Sequence, residues 1–321
     1  MEKKIVDLTV FRFNAETDYW PYYKKYKVEA SEDSVVLDLL NQIKWEQDGS
    51  FAYRRSCRHG ICGSCAIKVN NKATLACKER VFDLVELFGS ELTIDPQDKR
   101  RAVKDMIIDK KDFWDKYAYV KPYLQAEISE HPSKENIVLK DDAEKIDDAD
   151  YCIQCGACYY SCPSNEINGK FLGPAALAKT YRFVADSRDG DKKQRLKDVN
   201  LPDSGIWDCV KCYECAQACP KDVNPIEKIT RLHTQSFVEK VADMNVATRH
   251  AVGFLNSIQT HGNLDEGTLV LYSERFGAIK NIREAISMLT HKKIKMPWNT
   301  PKSKNHDEVK TLIKNSRTVK V

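Results

Sequence analysis

The sequence predicts an α+β chain in which a small sheet-and-helix domain comes first and helices follow. Three observations predict it. Residues 5–13 and 22–29 alternate apolar and polar side chains with the period of paired strands, whereas beyond residue 102 the apolar spacing becomes helical. The 321 residues exceed what one hydrophobic core usually organises, which implies two domains and an appendage. The twelve cysteines fall into three groups of four, with none left over.

The elements follow in order. "IVDLTVFRF" and "YYKKYKVE" supply two strands. "SEDSVVLDLLNQIKWEQD" has acids near its start and apolar residues at 35, 36, 39, 40 and 43, the stripe of an amphipathic helix. After a cysteine-rich loop, "AIKVNNKATLAC" reads as a hairpin turning at Asn70-Asn71, and a last strand lies near "ELTID". Strand, strand, helix, loop, hairpin and strand form a β-grasp domain over residues 1–101. From residue 102, "DMIIDKKDFWDKYAYVKPYL" carries Phe113, Trp114, Tyr117 and Tyr119 at helical spacing, read as core or interdomain packing. A polar linker spans roughly 127–147 and contains His131-Pro132. Gly173 and Pro174 open a helix in "GPAALAKTYRFVADSRD". The helical domain covers 102–240. An extension over 241–321 continues as charged amphipathic helices to about residue 290.

Hydrophobic residues make up 42% and charged residues 31%, as in soluble globular proteins. No stretch approaches the roughly 18 apolar residues of a membrane helix. "MEKKIVDLTVFRF" goes straight into strand-like sequence, so no export signal is expected. The net charge of +4 is uneven: residues 291–321 hold nine Lys and Arg against two acids, a balance of +7, leaving −3 for the rest. A body of that sign argues against nucleic-acid binding. The basic tail reads either as a solvated, partly disordered end or as a docking element for a partner or an anionic membrane surface.

Cys57, Cys62, Cys65 and Cys77 are spaced C-x4-C-x2-C-x11-C. Cys152, Cys155, Cys158 and Cys162 are spaced C-x2-C-x2-C-x3-C, followed by Pro163; Cys209, Cys212, Cys215 and Cys219 repeat that spacing, followed by Pro220. Disulfides explain this poorly, because bridges between such close thiols staple little chain. Zinc sites usually pair two C-x2-C knuckles about a dozen or more residues apart. The repeated run is instead that of bacterial ferredoxins, in which three thiolates cap one [4Fe–4S] cube and the fourth reaches the other. The expected sets are Cys152, Cys155 and Cys158 with Cys219, and Cys209, Cys212 and Cys215 with Cys162. The first group matches the plant-type [2Fe–2S] loop. Gly60 and Gly63 let its backbone turn tightly and aim N–H groups at sulfur. Arg58 and His59 are expected to be exposed, and His59 not to be a ligand, since four cysteines complete the site.

The domain order, with "RRSCRHGICGSCAIKVNNKATLAC", "KPYL", "CIQCGACYYSCP", "GPAALAKTYRFVADSRD" and "CPKDVNP", resembles the iron–sulfur subunits of succinate dehydrogenases and fumarate reductases over about residues 3–240. In most members the position matching Cys212 is not cysteine and the last cluster is [3Fe–4S]; the resemblance with Cys212 present implies a second [4Fe–4S]. Ser164-Asn165-Glu166 stand where quinone-reducing members carry tryptophans, and Val210 where many carry histidine, so the likeness does not extend to the usual quinone site. With its long extension the chain is most similar to the methylmenaquinol:fumarate reductase branch, which pairs with a cysteine-rich heterodisulfide-reductase-like subunit.

The resemblance implies a conducting subunit. Electrons would pass between a quinol-oxidising, membrane-associated partner and a FAD-containing flavoprotein that interconverts fumarate and succinate. The quinone pool is reached only through that partner. No catalytic residue is expected here: neither a Gly-rich dinucleotide loop nor a triad is legible, and the dicarboxylate chemistry belongs to the flavin. The resemblance also implies peripheral attachment to the cytoplasmic membrane, on the periplasmic face by export with the flavoprotein, the cytoplasmic face being the alternative. The residues leave open another flavin-linked dehydrogenase, a free-standing electron carrier and a zinc-binding interaction protein.

Overall fold

In the computed structural model the described residues are 3–125, 135–294 and 300–316. The chain divides into two compact units, Met1–Gln235 and Ser236–Val321. His131-Pro132 of the expected linker lies outside the described residues.

The first unit opens with β1 (Lys3–Arg12), β2 (Tyr22–Ser31) and α1 (Val36–Gln42), which continues as a wide π turn over Ile43–Gln47. Beyond the cysteine loop come β3 (Ala66–Val69), β4 (Lys72–Leu75), α2 (Val81–Phe88) and β5 (Glu91–Asp95). The strand order is β2-β1-β5-β3-β4; β1 and β5 are parallel and the other neighbours antiparallel. Asn70 (φ 46°) and Asn71 (φ 64°) both take the left-handed conformation a two-residue hairpin needs, so the turn lies where the sequence places it. β1 buries Val6, Leu8 and Val10 at alternate positions, in one core with Leu39, Leu40 and Ile43. Full burial of each such side chain contributes about 1.5–3 kcal/mol. The sequence reading did not anticipate α2 or the short pair β6 (Ala102–Lys104) and β7 (Ile107–Ile108). An apolar run as short as "VFDLVELF" suits strand or helix equally. Here the N–H of Val81 donates to the Ser34 carbonyl at 2.9 Å and helps set the start of the helix.

Short helices build the remainder: α3 (Lys111–Tyr119), α4 (Lys140–Glu144), α5 (Asp147–Asp150), α6 (Ala157–Tyr160), α7 (Pro163–Ile167), α8 (Pro174–Val184), α9 (Lys192–Val199), α10 (Glu214–Gln217) and α11 (Pro225–Val238). Pro174 begins α8 after Gly173, as expected. Of the four aromatics at helical spacing, Phe113 and Tyr117 are buried against Cys158 and Tyr159, whereas Trp114 and Tyr119 remain exposed. Buried Arg195 of α9 donates to the carbonyls of Lys121 (2.8 Å) and Tyr123 (2.6 Å) and pairs with Asp189 at 2.9 Å, which pins "KPYL" to the helices.

The second unit holds α12 (Val246–His261), α13 (Glu266–Glu274), α14 (Ile282–Thr290) and α15 (His306–Ser316). Asn245 and Asp265 cap α12 and α13, accepting from the N–H groups of Thr248 (3.0 Å) and Thr268 (2.9 Å). Phe276, Ile279, Ile282 and Ile286 stay exposed on and before α14. The basic tail is not structureless throughout, since α15 lies within it. Among the described residues no helix is long and apolar enough to cross a membrane.

One buried charge network closes the sheet end of the first unit. Arg12 donates to Asp105 Oδ1 (2.9 Å), Asp48 Oδ2 (2.6 Å) and Ser50 Oγ (2.8 Å). Asp105 also accepts from the N–H groups of Phe13 (3.1 Å) and Ala52 (2.8 Å), joining β1 to the approach to the cysteine loop. Burial would raise the Asp48 carboxyl, but hydrogen bonds from Lys24, Ser50, Tyr26 and Arg12 hold it well below the usual carboxylate range. Unfolded aspartate titrates near 3.9. The stabilisation is therefore complete above about pH 4 and is lost as pH falls toward the lower folded-state value. Arg12→Met, which leaves buried Asp105 without its cation while Asp48 keeps Lys24, should cost about 3–5 kcal/mol in urea denaturation at neutral pH. It should also flatten the acid-side loss of stability.

Candidate iron–sulfur centres

The first centre forms on the loop between the π turn and β3. Arg58 (φ 59°), Gly60 (φ 66°) and Gly63 (φ 67°) fold its backbone back on itself. The N–H groups of His59 (3.4 Å), Ile61 (3.4 Å) and Cys62 (3.3 Å) all point at Cys57 Sγ. These donors lower the Cys57 thiol to about 6. Burial pushes Cys65 the other way, up to about 12. Cys65 and Cys77 lie in the domain core and Cys62 at the surface, so the loop spans from protein interior to solvent. Arg58 and His59 are exposed.

The two ferredoxin runs share one backbone pattern. Gln154 (φ 56°) and Gly156 (φ 88°) flank Cys155; Lys211 (φ 56°) and Tyr213 (φ 67°) flank Cys212 at the matching positions. Tyr213 accepts, with a side chain, a conformation that the first run assigns to glycine. Burial raises Cys152 and Cys209, and the N–H groups of Gln154 and Lys211 oppose it in the same way. Tertiary structure then mixes the runs. Cys152, Cys155 and Cys158 surround one cavity together with Cys219. Cys209, Cys212 and Cys215 surround another together with Cys162. Cys158 is buried, and burial drives its thiol far up; burial pushes Cys215 up to about 12. Such thiols ionise only when a metal takes the proton's place. The donor set, its N–H-lined turns and the two four-thiol cavities suit iron–sulfur cores. Among the described residues no group of His, Cys, Asp or Glu converges as it would around a single ion.

The first two centres abut. A Cβ added at Gly63 would stand 2.8 Å from Cys155 Cβ and 3.1 Å from the Ile153 carbonyl oxygen. Gln97, buried and absent from the sequence reading, donates to the carbonyls of both Ala66 (3.0 Å) and Cys155 (3.2 Å). Lys110 was missed as well; its Nζ donates to the Cys155 carbonyl at 2.7 Å. Neither belongs to a motif, and only folding brings them to the cysteines. At the other end, His233 stacks on Trp207 at 4.3 Å and donates from Nε2 to the Ile206 carbonyl at 2.8 Å. Burial lowers its pKa to about 4, so the ring is neutral at pH 7. Trp207 donates to Asn200 Oδ1 at 2.8 Å. The stack holds the turn that leads into Cys209.

Ser164-Asn165-Glu166 are committed within the chain. Ser164 is buried, Asn165 donates to the Tyr159 carbonyl at 3.3 Å, and Glu166 pairs with Arg100 at 3.1 Å. Val210 is exposed beside Cys209.

Gly63→Ala should force the two loops apart and strain a left-handed position. A loss of about 1–3 kcal/mol in stability is expected. Slower electron passage between the first two centres should accompany it, read from the delay between the two reduced-state EPR signals after rapid mixing with reductant.

Comparison with known proteins agrees with this geometry. Residues 7–115 match the model of a 2Fe-2S iron-sulfur cluster binding domain, and residues 148–223 that of a 4Fe-4S dicluster domain. The succinate dehydrogenase iron-sulfur subunit of Coxiella burnetii is 36% identical over 234 residues, covering 72% of this chain and 97% of that protein. The fumarate reductase iron-sulfur subunit of Haemophilus influenzae is 34% identical over 251 residues, covering 75% and 96%. A chain of the Mycobacterium smegmatis Sdh1 complex in the apo form shares the fold with a TM-score of 0.63 at 21% identity, over 74% of this chain and 98% of that one. The chain thus carries one [2Fe–2S] and two [4Fe–4S] clusters and belongs to the family of succinate dehydrogenase and fumarate reductase iron–sulfur subunits.

Proposed function

We propose that this chain conducts electrons between a quinol-oxidising membrane-associated subunit and a FAD-containing flavoprotein that interconverts fumarate and succinate. The observation that carries the reading is the series of three four-cysteine sets, the first abutting the second and the second interleaved with the third. Bound clusters supply the one-electron chemistry. The residues of the chain do the rest. Cys57, Cys62, Cys65 and Cys77 hold the [2Fe–2S]; Cys152, Cys155, Cys158 and Cys219 hold one [4Fe–4S]; Cys162, Cys209, Cys212 and Cys215 hold the other. The β-grasp domain occupies 1–101, the dicluster domain 102–240 and the extension 241–321.

The finer reading is a partner of the cysteine-rich, heterodisulfide-reductase-like kind. Cys212 supports it by completing a fourth ligand at the distal centre, as does the lack of tryptophan at 164–166. Exposed Val210, Cys212 and Tyr213 offer that centre a protein-facing edge. The extension, with exposed Phe276, Ile279 and Ile282 and a tail of balance +7, supports docking at the membrane-side partner. Attachment is peripheral, on the periplasmic face.

Cys212→Ser should leave a [3Fe–4S] EPR signal in the oxidised protein; absence of any new oxidised-state signal would overturn the ligand assignment. Deleting 291–321 should release the subunit from its membrane-side partner while its clusters stay loaded. Unchanged co-purification with membranes would exclude the tail as the docking element.

A further inference from the structure

Lys110 sits where β7 gives way to α3, half-buried in a groove between the first two cluster loops. Cys62 and Gly63 line one side of that groove, Ile153 and Gln154 the other. Its Nζ donates to the Cys155 carbonyl at 2.7 Å. No carboxylate among the described residues pairs with it, although Asp109 lines the same groove with the like-charged Arg54 and Lys111, and burial lowers the pKa of Lys110. Withdrawing an ammonium from water without a counter-ion is costly. The buried cations Arg12, Arg195 and Lys228 have one, in Asp48 and Asp105, Asp189 and Asp148; half-buried Lys44 and Lys116, like Lys110, rest on backbone or amide oxygens. What distinguishes Lys110 is its place between two centres whose thiolates outnumber the positive charges of their iron–sulfur cores. Each becomes more negative on reduction.

We propose that Lys110 is a positioning residue for the electron: a fixed positive charge that serves as counter-ion to the first [4Fe–4S] centre and raises its reduction potential. Net charge and hydrogen bonding near the sulfurs are main determinants of cluster potential. The hydrogen bond to the Cys155 carbonyl fixes the ammonium relative to this centre. The [2Fe–2S] loop across the groove feels it through Cys62 and Gly63. The distal centre of Cys162, Cys209, Cys212 and Cys215 takes no part in the groove.

The inference rests on the cluster assignment above, and the two fail differently: iron and sulfide content and EPR line shapes test the assignment, midpoint potentials test Lys110. The experiment is an EPR-monitored redox titration of the cluster-loaded full chain. Lys110→Met keeps the side chain's length and removes the charge. It should shift the reduction equilibrium of the first [4Fe–4S] by about tenfold toward the oxidised form, about 59 mV for a one-electron couple. The distal centre should stay unchanged, and Lys110→Arg should keep the wild-type potential. Unchanged potentials in Lys110→Met, an equal shift at all three centres, or a loss in Lys110→Arg as large as in Lys110→Met would each overturn the proposal. Should Lys110→Met fail to load its clusters, Lys110→Gln, which retains a donor for the Cys155 carbonyl, is titrated in its place by the same criteria.

Discussion

The contact on which the first unit depends is the approach of the [2Fe–2S] loop to the first ferredoxin run. Gly63 faces Cys155 with no room for a side-chain carbon between them. Electron tunnelling falls steeply with distance, so a conducting subunit needs its centres close. Close packing of two loops is the structural form that need takes. The same constraint accounts for the surroundings. Cys155 and Ala157 belong to the buried core that holds Cys65 and Cys77. Gln97 ties β3's Ala66 to the Cys155 carbonyl, and Lys110, at the start of α3, binds that same carbonyl. A glycine, an amide and an ammonium together weld the sheet domain to the helical one.

The second constraint is interleaving. Each ferredoxin run closes three thiols around its own cavity and gives its last cysteine to the other. Neither cavity can form unless both runs have folded and docked, so cluster loading and tertiary folding are linked. Burial reinforces the link. Thiols as deeply enclosed as Cys158 and Cys215 resist ionisation without metal, while the N–H-rich loop at Cys57 favours its thiolate.

The relatives cover roughly three quarters of this chain. The second unit has its own caps and packing: Gly253 of α12 leaves space that a Cβ would deny to the Tyr272 ring, 2.8 Å away. Its exposed apolar residues on and before α14 set it apart from a purely solvated tail.

By itself the sequence determined the cluster types and the order of the domains. Cysteine spacing is a local property: i, i+3 and i+6 thiols gather from one run, while the fourth comes from the other run only on folding. Alternation in β1 and the Asn70-Asn71 turn are local too, and both appear where the pattern put them. α2 was not legible, because eight residues with a mixed apolar face do not choose between helix and strand until the sheet supplies a partner. Trp114 and Tyr119 look like Phe113 and Tyr117 in sequence, and only the packed helices decide which two are covered. Tertiary structure alone decided that Gly63 meets Cys155, that Gln97 and Lys110 reach the same carbonyl, and that His233 stacks on Trp207. The paired residues lie far apart along the chain, and Gln97, Lys110, Trp207 and His233 carry no motif. Their roles arise from distances that exist only after both domains have closed around the cysteines.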